Sequence, residues 1–257
     1  MASANAITLT SETNMIIKDK FSVIVINKAG KVGKSTISKH LVAPLLGADW
    51  IQVETFNDSG QGAKAKVAGR KFEFVAEAVV GATKSLCIDV GNSNYQAVMK
   101  ELRAIGAIAG RIHCWVIPCT DSAGVMNDSL STIVDLIDNL GVDPARIVVL
   151  PNNIESPEDG LDSFKKLDLA SKKIGFHFCR VAIPQEPKFD VFNADDRSVI
   201  QLAADDTDYD AAFAVETDGD QRYRLTQAFL LRERARRLAE QFKQVWASSP
   251  LASLSAA

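Results

Sequence analysis

No stretch of this chain reaches the roughly 18 consecutive apolar residues that cross a bilayer as a helix. Its opening, MASANAITLTSETNMIIKDK, lacks the basic start and apolar core of a secretory leader. Positive charge is not in excess either: 29 Lys and Arg stand against 32 Asp and Glu, a formal net charge of −3. That balance excludes a protein that coats nucleic acid through overall charge and leaves only local basic patches. Cysteine is scarce. Cys87, Cys114, Cys119 and Cys179 form no CxxC pair, and no His/Cys cluster has zinc-ligand spacing. They read as small buried hydrophobes of a reducing cytosol, so a cytoplasmic location is expected. Internal repeats and low-complexity linkers are missing. One α/β domain is therefore expected over 21–246, between a polar extension (1–20) and a flexible tail (247–257). The acidic run DDTDYDAAFAVETDGD fails the calcium-loop template. Ala211 falls on its glycine position and Thr217 on its last ligand, so the run reads as solvated surface.

What the chain does have is alternation. FSVIVIN (21–27), DWIQVET (49–55), SLCIDV (85–90), RIHCWVIP (111–118), RIVVLP (146–151) and FHFCRVAIP (176–184) read as strands. Most are continuously apolar, which suits strands covered on both faces. KSTISKHLVAPLL, NYQAVMKELRAIGA, DSLSTIVDLIDNLG and LDSFKKLDLASKKIG read as helices between them. The pattern predicts an α/β fold with a doubly wound, mostly parallel sheet and helices on both faces. Ligands of such sheets bind at the carboxyl ends of the strands.

The first strand runs into NKAGKVGKST, residues 27–36. Gly30 and Gly33 permit turn angles that expose successive N–H groups. Lys34 is placed to neutralise β- and γ-phosphate charge, and Ser35 offers a hydroxyl to Mg²⁺. The helix starting there aims its positive end at the anion. Lys28, however, occupies the first glycine of the usual GxxxxGK[ST] pattern.

The segment resembles the phosphate loop of the ParA/MinD ATPases, xxKGGxGK[ST]. That resemblance implies ATP or ADP with Mg²⁺, held by the loop from Lys28, Ala29, Gly30, Lys31, Val32 and Gly33 through Lys34, Ser35 and Thr36. The family's signature lysine, which reaches into the partner subunit's nucleotide, falls on Ala29, and its second glycine on Lys31. Lys28 or Lys31 is the available substitute. The family's acidic pair after the second strand falls on Glu54 and Phe56 of VETFNDSGQG. A phenyl ring cannot align water, which leaves Glu54 or Asp58 for that task. SLCIDVGNSN resembles the family's second nucleotide segment, with Asp89 on a Mg²⁺-bound water and Gly91 sensing γ-phosphate. Asn152, and more weakly Pro184 and Gln185, are the implied base contacts.

LCIDVGNSNYQAVMKEL, with DTDYDAAF before an Arg-rich helix, is similar to the TraL and StbB proteins of conjugative plasmids. This implies a bacterial, plasmid-encoded ATPase for plasmid stability, positioning or conjugation. Its partners would be a second copy, in a nucleotide-dependent homodimer, and a DNA-binding adaptor protein. The alternative is a degenerate phosphate-loop protein serving as a non-enzymatic scaffold in the same system. From Leu231 onward, Ala235, Leu238, Phe242, Val245 and Trp246 follow helical spacing. Three roles suit that helix: packing on the domain, DNA or partner contact through Arg232, Arg234, Arg236 and Arg237, or a membrane surface. AKAKVAGRK (63–71) reads as a solvated helix face or, second, a DNA contact.

Overall fold

The computed structural model describes residues 20–53, 65–67, 72–155, 161–187 and 189–255. The strands are β1 Ser22–Val25, β2 Asp49–Val53, β3 Ala65–Val67, β4 Leu86–Val90, β5 Cys114–Cys119, β6 Ile147–Ile154, β7 His177–Phe178 and β8 Ile183–Pro184. They form one parallel sheet in the order β3-β2-β4-β1-β5-β6-β7, with β8 pairing beyond β7 on β6.

The strands are apolar on both faces because both faces are covered. Ile24 of β1 and Ile26 just beyond it, Ile51 and Val53, and Leu86, Ile88 and Val90 face one core. Helices α2 (Phe72–Val80), α3 (Tyr95–Ala104), α4 (residues 123–139) and α5 (Lys165–Ile174) supply its other half, with Tyr95, Met99, Ile133, Leu136 and Leu167 buried there. Val23, Val25, Trp50 and Cys87 face a second core beneath α1 (residues 34–46), α6 (Val199–Ala203) and α7 (Gly219–Ala247). Strand periodicity then puts Gln52 and Asp89 on the α1 face, in the same sets as Trp50 and Cys87.

Helix α1 widens into a π-turn at Ser38–Val42, where the Ala43 N–H donates to Ser38 O five residues back. Pro44 follows at once. Its ring would clash with a carbonyl of a regular preceding turn, and the wider turn makes room for it.

Several expectations need correction. The run 176–184 is not one strand but two short ones, broken at residues 179–182. The tail expected over 247–257 is helical at Leu251–Ser255, with Leu251 fully buried. Helix α7 starts at Gly219, well before Leu231, and its apolar stripe is not free for a membrane: Leu238, Phe242, Val245 and Trp246 are buried in the second core. Each Phe-sized burial is worth about 2–3 kcal/mol.

Two of the four arginines lie differently from a DNA-contacting row. Arg232 is buried, donating to Thr207 O (2.6 Å), with its guanidinium 4.4 Å from the Tyr209 ring centroid. Arg237 pairs with Glu186 at 2.7 Å. Part of the acidic run is helical (Tyr209–Val215) and packs Tyr209 inward against that arginine. Ala65–Val67, within the expected helical face 63–71, is strand β3. All four cysteines are free and buried, as expected, and desolvation pushes Cys114 up to about 12 and Cys119 up to about 11. No helix among the described residues is long and apolar enough to cross a membrane. The polar extension over 1–20 lies, but for Lys20, outside the described residues.

Candidate functional site

Strand β1 delivers a buried Asn27 at the carboxyl edge of the sheet, where it fixes the turn that follows. Its Nδ2 donates to Pro118 O (2.9 Å) and Ser129 Oγ (2.8 Å), while its Oδ1 accepts the Ala29 N–H (2.9 Å). Lys31 and Gly33 then adopt left-handed angles, φ 58° and 82°. Such angles turn successive amides toward one concavity, an arrangement suited to anions. At Gly33 a side chain is excluded twice, by φ and because a Cβ would collide with the Asn152 carboxamide. That carboxamide donates to Val32 O at 3.0 Å, so the end of β6 clamps the loop. Lys34 opens α1 and folds back across the turn, its Nζ donating to Ala29 O at 2.6 Å. Ala29 itself is buried, 5 % exposed, with no side chain to reach outward.

The strand-end carboxylate lies next to this loop. Asp89 is fully buried and in register with Val25 on one side and Gln52 on the other. Gln52 Nε2 donates to Ser35 Oγ at 3.4 Å, and Gln52 Oε1 is buried with no hydrogen-bond partner among the described residues. A hydroxyl, a carboxylate and an orphaned amide oxygen at one edge fit a hard cation that takes oxygen ligands and keeps several waters, as Mg²⁺ does. Beyond Asp89 the Gly91 N–H donates to Val53 O (3.1 Å), and Asn94 Nδ2 donates to the same carbonyl (3.2 Å), tying this segment to the end of β2. Glu54, Phe56 and Asp58 lie outside the described residues.

Two hollows meet at the loop. One, about 230 Å³, is walled by residues 31–36 with Gly91 and Asn92. The other, about 250 Å³, lies between Asn152, Pro184, Phe189, Asn193 and Leu238. Lys31, Gly33 and Thr36 border both, so the two lie side by side along the carboxyl edge of the sheet and together make a two-part trough. This is the fold of the P-loop NTPases.

Among solved structures, an ATP complex of a variant of Cyanothece McdA is similar with a TM-score of 0.50 at 11% identity, covering 89% of this chain and 96% of that one. MinD from Aquifex aeolicus has a TM-score of 0.47 at 13% identity, covering 86% and 97%. The Aquifex aeolicus MinC:MinD complex gives 0.46 at 13%, covering 86% and 96%. At these identities the McdA likeness is one of fold. No family model and no curated protein matches the chain.

Within this P-loop frame the structure brings Gly30 to Thr36, Asp89, Gly91 and Asn152 to one edge, with Pro184 on the wall of the second hollow. Gln185 stands beside that wall, its N–H donating to Ile154 O (2.9 Å). Lys28 points elsewhere: its Nζ pairs with Asp135 (2.8 Å) and donates to Ser131 Oγ (2.6 Å). Lys31, exposed on the rim of both hollows, is the one of the two substitutes that faces the trough. Sequence reasoning missed Gln52, Glu186, Phe189, Asp190, Asn193 and Leu238. Only Gln52 carried a signal, as a polar residue inside an otherwise apolar strand.

Proposed function

We propose that this chain is a nucleotide switch of the ParA/MinD type that binds ATP with Mg²⁺ and hydrolyses it slowly. The observation that carries this reading is the pair of adjoining hollows, with a loop of turned amides and Lys34 at one end and Asn152, Pro184 and Leu238 at the other. Its two hollows suit a triphosphate and a base on either side of Gly33. The McdA structure of like fold holds ATP, which supports the same ligand here.

In this reading the loop amides and Lys34 bind the β- and γ-phosphates, the helix dipole of α1 adding to the attraction. Ser35 and Asp89 would hold Mg²⁺ or its waters, with the orphaned Gln52 Oε1 beside them. The metal would supply neutralisation of phosphate charge there. Asp89 and Gly91 couple γ-phosphate to the segment that follows them. Glu54 or Asp58 aligns water, and slow turnover follows from Phe56 on the family's second acidic position.

The StbB- and TraL-like segment that runs from β4 into α3 supports a cytoplasmic role in plasmid stability, partition or conjugation, beside a DNA-binding adaptor and through a nucleotide-dependent homodimer. A scaffold that binds nucleotide without turnover is the second reading, favoured by the buried Ala29 on the signature lysine position. Nucleotide affinity and phosphate release in wild type and Lys34→Ala separate them. Tight binding and measurable release in wild type, both lost in the variant, support the switch. Binding without release selects the scaffold, and equal behaviour of the two proteins removes the switch.

A further inference from the structure

Lys28 replaces a loop glycine, and the surrounding helices hold both its backbone and its side chain. Its N–H donates to Thr132 Oγ1 (3.2 Å). Its ammonium donates to Asp135 Oδ2 (2.8 Å) and Ser131 Oγ (2.6 Å), and lies 5.5 Å from the centroid of the Tyr95 ring. Two of the three ammonium donors are thus used, and the ring face attracts the same cation. Ser131 and Thr132 lie four and three residues before Asp135 on α4, the spacings that bring helical side chains together.

Asp135 is also the anchor of a second residue. The hydroxyl of Tyr95, 2 % exposed, donates to Asp135 Oδ2 at 2.9 Å, and Asn139 Nδ2 donates to Oδ1 at 3.3 Å. Desolvation pushes the Asp135 carboxyl up, but the hydrogen bonds from Lys28 and Tyr95, with the charges of Lys28 and Arg103, outweigh it and hold the group below its ordinary value. The carboxylate therefore stays charged at neutral pH.

Tyr95 opens α3 directly after the Gly91–Asn94 segment that leaves Asp89. That segment touches the loop a second time through Asn92, whose Nδ2 would lie 3.2 Å from a Cβ on Gly30. The loop and the segment after Asp89 thus lie close at Gly30, and Lys28 reaches Tyr95, the residue that follows that segment, through Asp135.

We propose that Lys28 is a positioning residue acting within the chain: the Lys28–Asp135–Tyr95 linkage fixes the entry of the phosphate loop to the segment after Asp89, so that movement of one on nucleotide binding moves the other. This rests on the nucleotide-site reading above. It removes Lys28 from the role of reaching toward a partner subunit and leaves Lys31 for that role.

Hydrogen exchange on the ligand-free protein tests the linkage without nucleotide. Lys28→Ala and Tyr95→Phe should each speed exchange of the amides of residues 28–34 by about threefold to tenfold, the worth of one hydrogen bond. The double variant should exchange no faster than the quicker single one, because both break the same linkage. Unchanged exchange in Tyr95→Phe, which deletes one oxygen and keeps the ring, overturns the proposal.

The second arm is the ratio of ATP to ADP affinity, which should fall by about threefold or more in both single variants. Loss in Lys28→Ala with Tyr95→Phe unchanged would mean that Lys28 acts on phosphate or on a partner directly, and overturns it too. Lack of ATP binding in wild type would instead sink the function reading, and the exchange arm would still decide the linkage.

Discussion

The two ends of the trough are built from opposite kinds of material. The end proposed for the phosphates takes most of its wall from consecutive residues 31–36, closed by Gly91 and Asn92. The end proposed for the base collects Asn152 from β6, Pro184 from β8, Phe189 and Asn193 from the stretch beyond, and Leu238 from α7. An anion asks for peptide N–H groups, which any chain carries, so one short turn with the right φ values suffices. A flat, mostly apolar ligand asks for shape, and shape at that end is assembled from segments far apart in the chain.

The largest effect expected of a single change is at the phosphate end. Lys34→Ala should weaken ATP binding by about a hundredfold or more, since a charge-assisted contact to phosphate is worth about 1.5–3 kcal/mol and the loop also loses its brace to Ala29 O. Calorimetric titration with ATP reads this. An equal loss for inorganic tripolyphosphate would place the effect on the phosphates alone.

Gly33→Ala bears on both ends at once. A left-handed angle costs a residue with a side chain about 1–2 kcal/mol, and the added methyl must displace the Asn152 carboxamide. We expect a lowered melting temperature, with ATP and tripolyphosphate affinities falling together. Loss confined to ATP would show the two ends to be less connected than the shared wall suggests.

His40 underlies the base end. Fully buried on α1, it accepts the Val199 N–H at Nδ1 (3.1 Å), with Nε2 3.4 Å from Asn193 Oδ1. Desolvation chiefly, and then the Lys39 charge, lower its pKa from 6.5 to about 3, against the upward pull of Asn193 and Asp195. The unfolded chain therefore takes up a proton near 6.5 and the folded one only near 3. The stability is present above 6.5 and is lost as pH falls through that window, at about 1.4 kcal/mol per pH unit. Between pH 6.5 and 5 denaturant titration should show a loss of about 2 kcal/mol. His40→Asn, which keeps an acceptor for Val199, should remove most of that slope. An unchanged slope in the variant would assign the acid sensitivity to other groups.

The smallest effect is at the base end. Asn152→Ala should cost about tenfold in ATP affinity, the scale of one or two hydrogen bonds, and less than about threefold for tripolyphosphate. Equal losses for the two ligands would make Asn152 a loop clamp through Val32 O rather than a base contact.

The same contrast explains what was legible in the residues. Alternating apolar runs gave the parallel sheet, because a strand buried on both faces has to be apolar throughout. Asn27 to Thr36 announced the loop, although the two left-handed positions expected at Gly30 and Gly33 fall on Lys31 and Gly33. The breaks in 176–184, the helix at Leu251–Ser255 and the burial of Arg232 were not legible, because each depends on a partner brought from elsewhere. Lys28 shows the limit most clearly: beside a phosphate loop a lysine suggests an anion or a neighbouring subunit, and only α4 and α3 reveal Asp135 and Tyr95 as its partners.

Sequence alone determined the layering of the sheet and the place of the loop that follows its first strand, since both follow from side-chain periodicity and local backbone freedom. Tertiary structure decided which carboxylate answers which lysine and where the base hollow opens. Those choices turn on distances between residues scores of positions apart, and no local pattern encodes them.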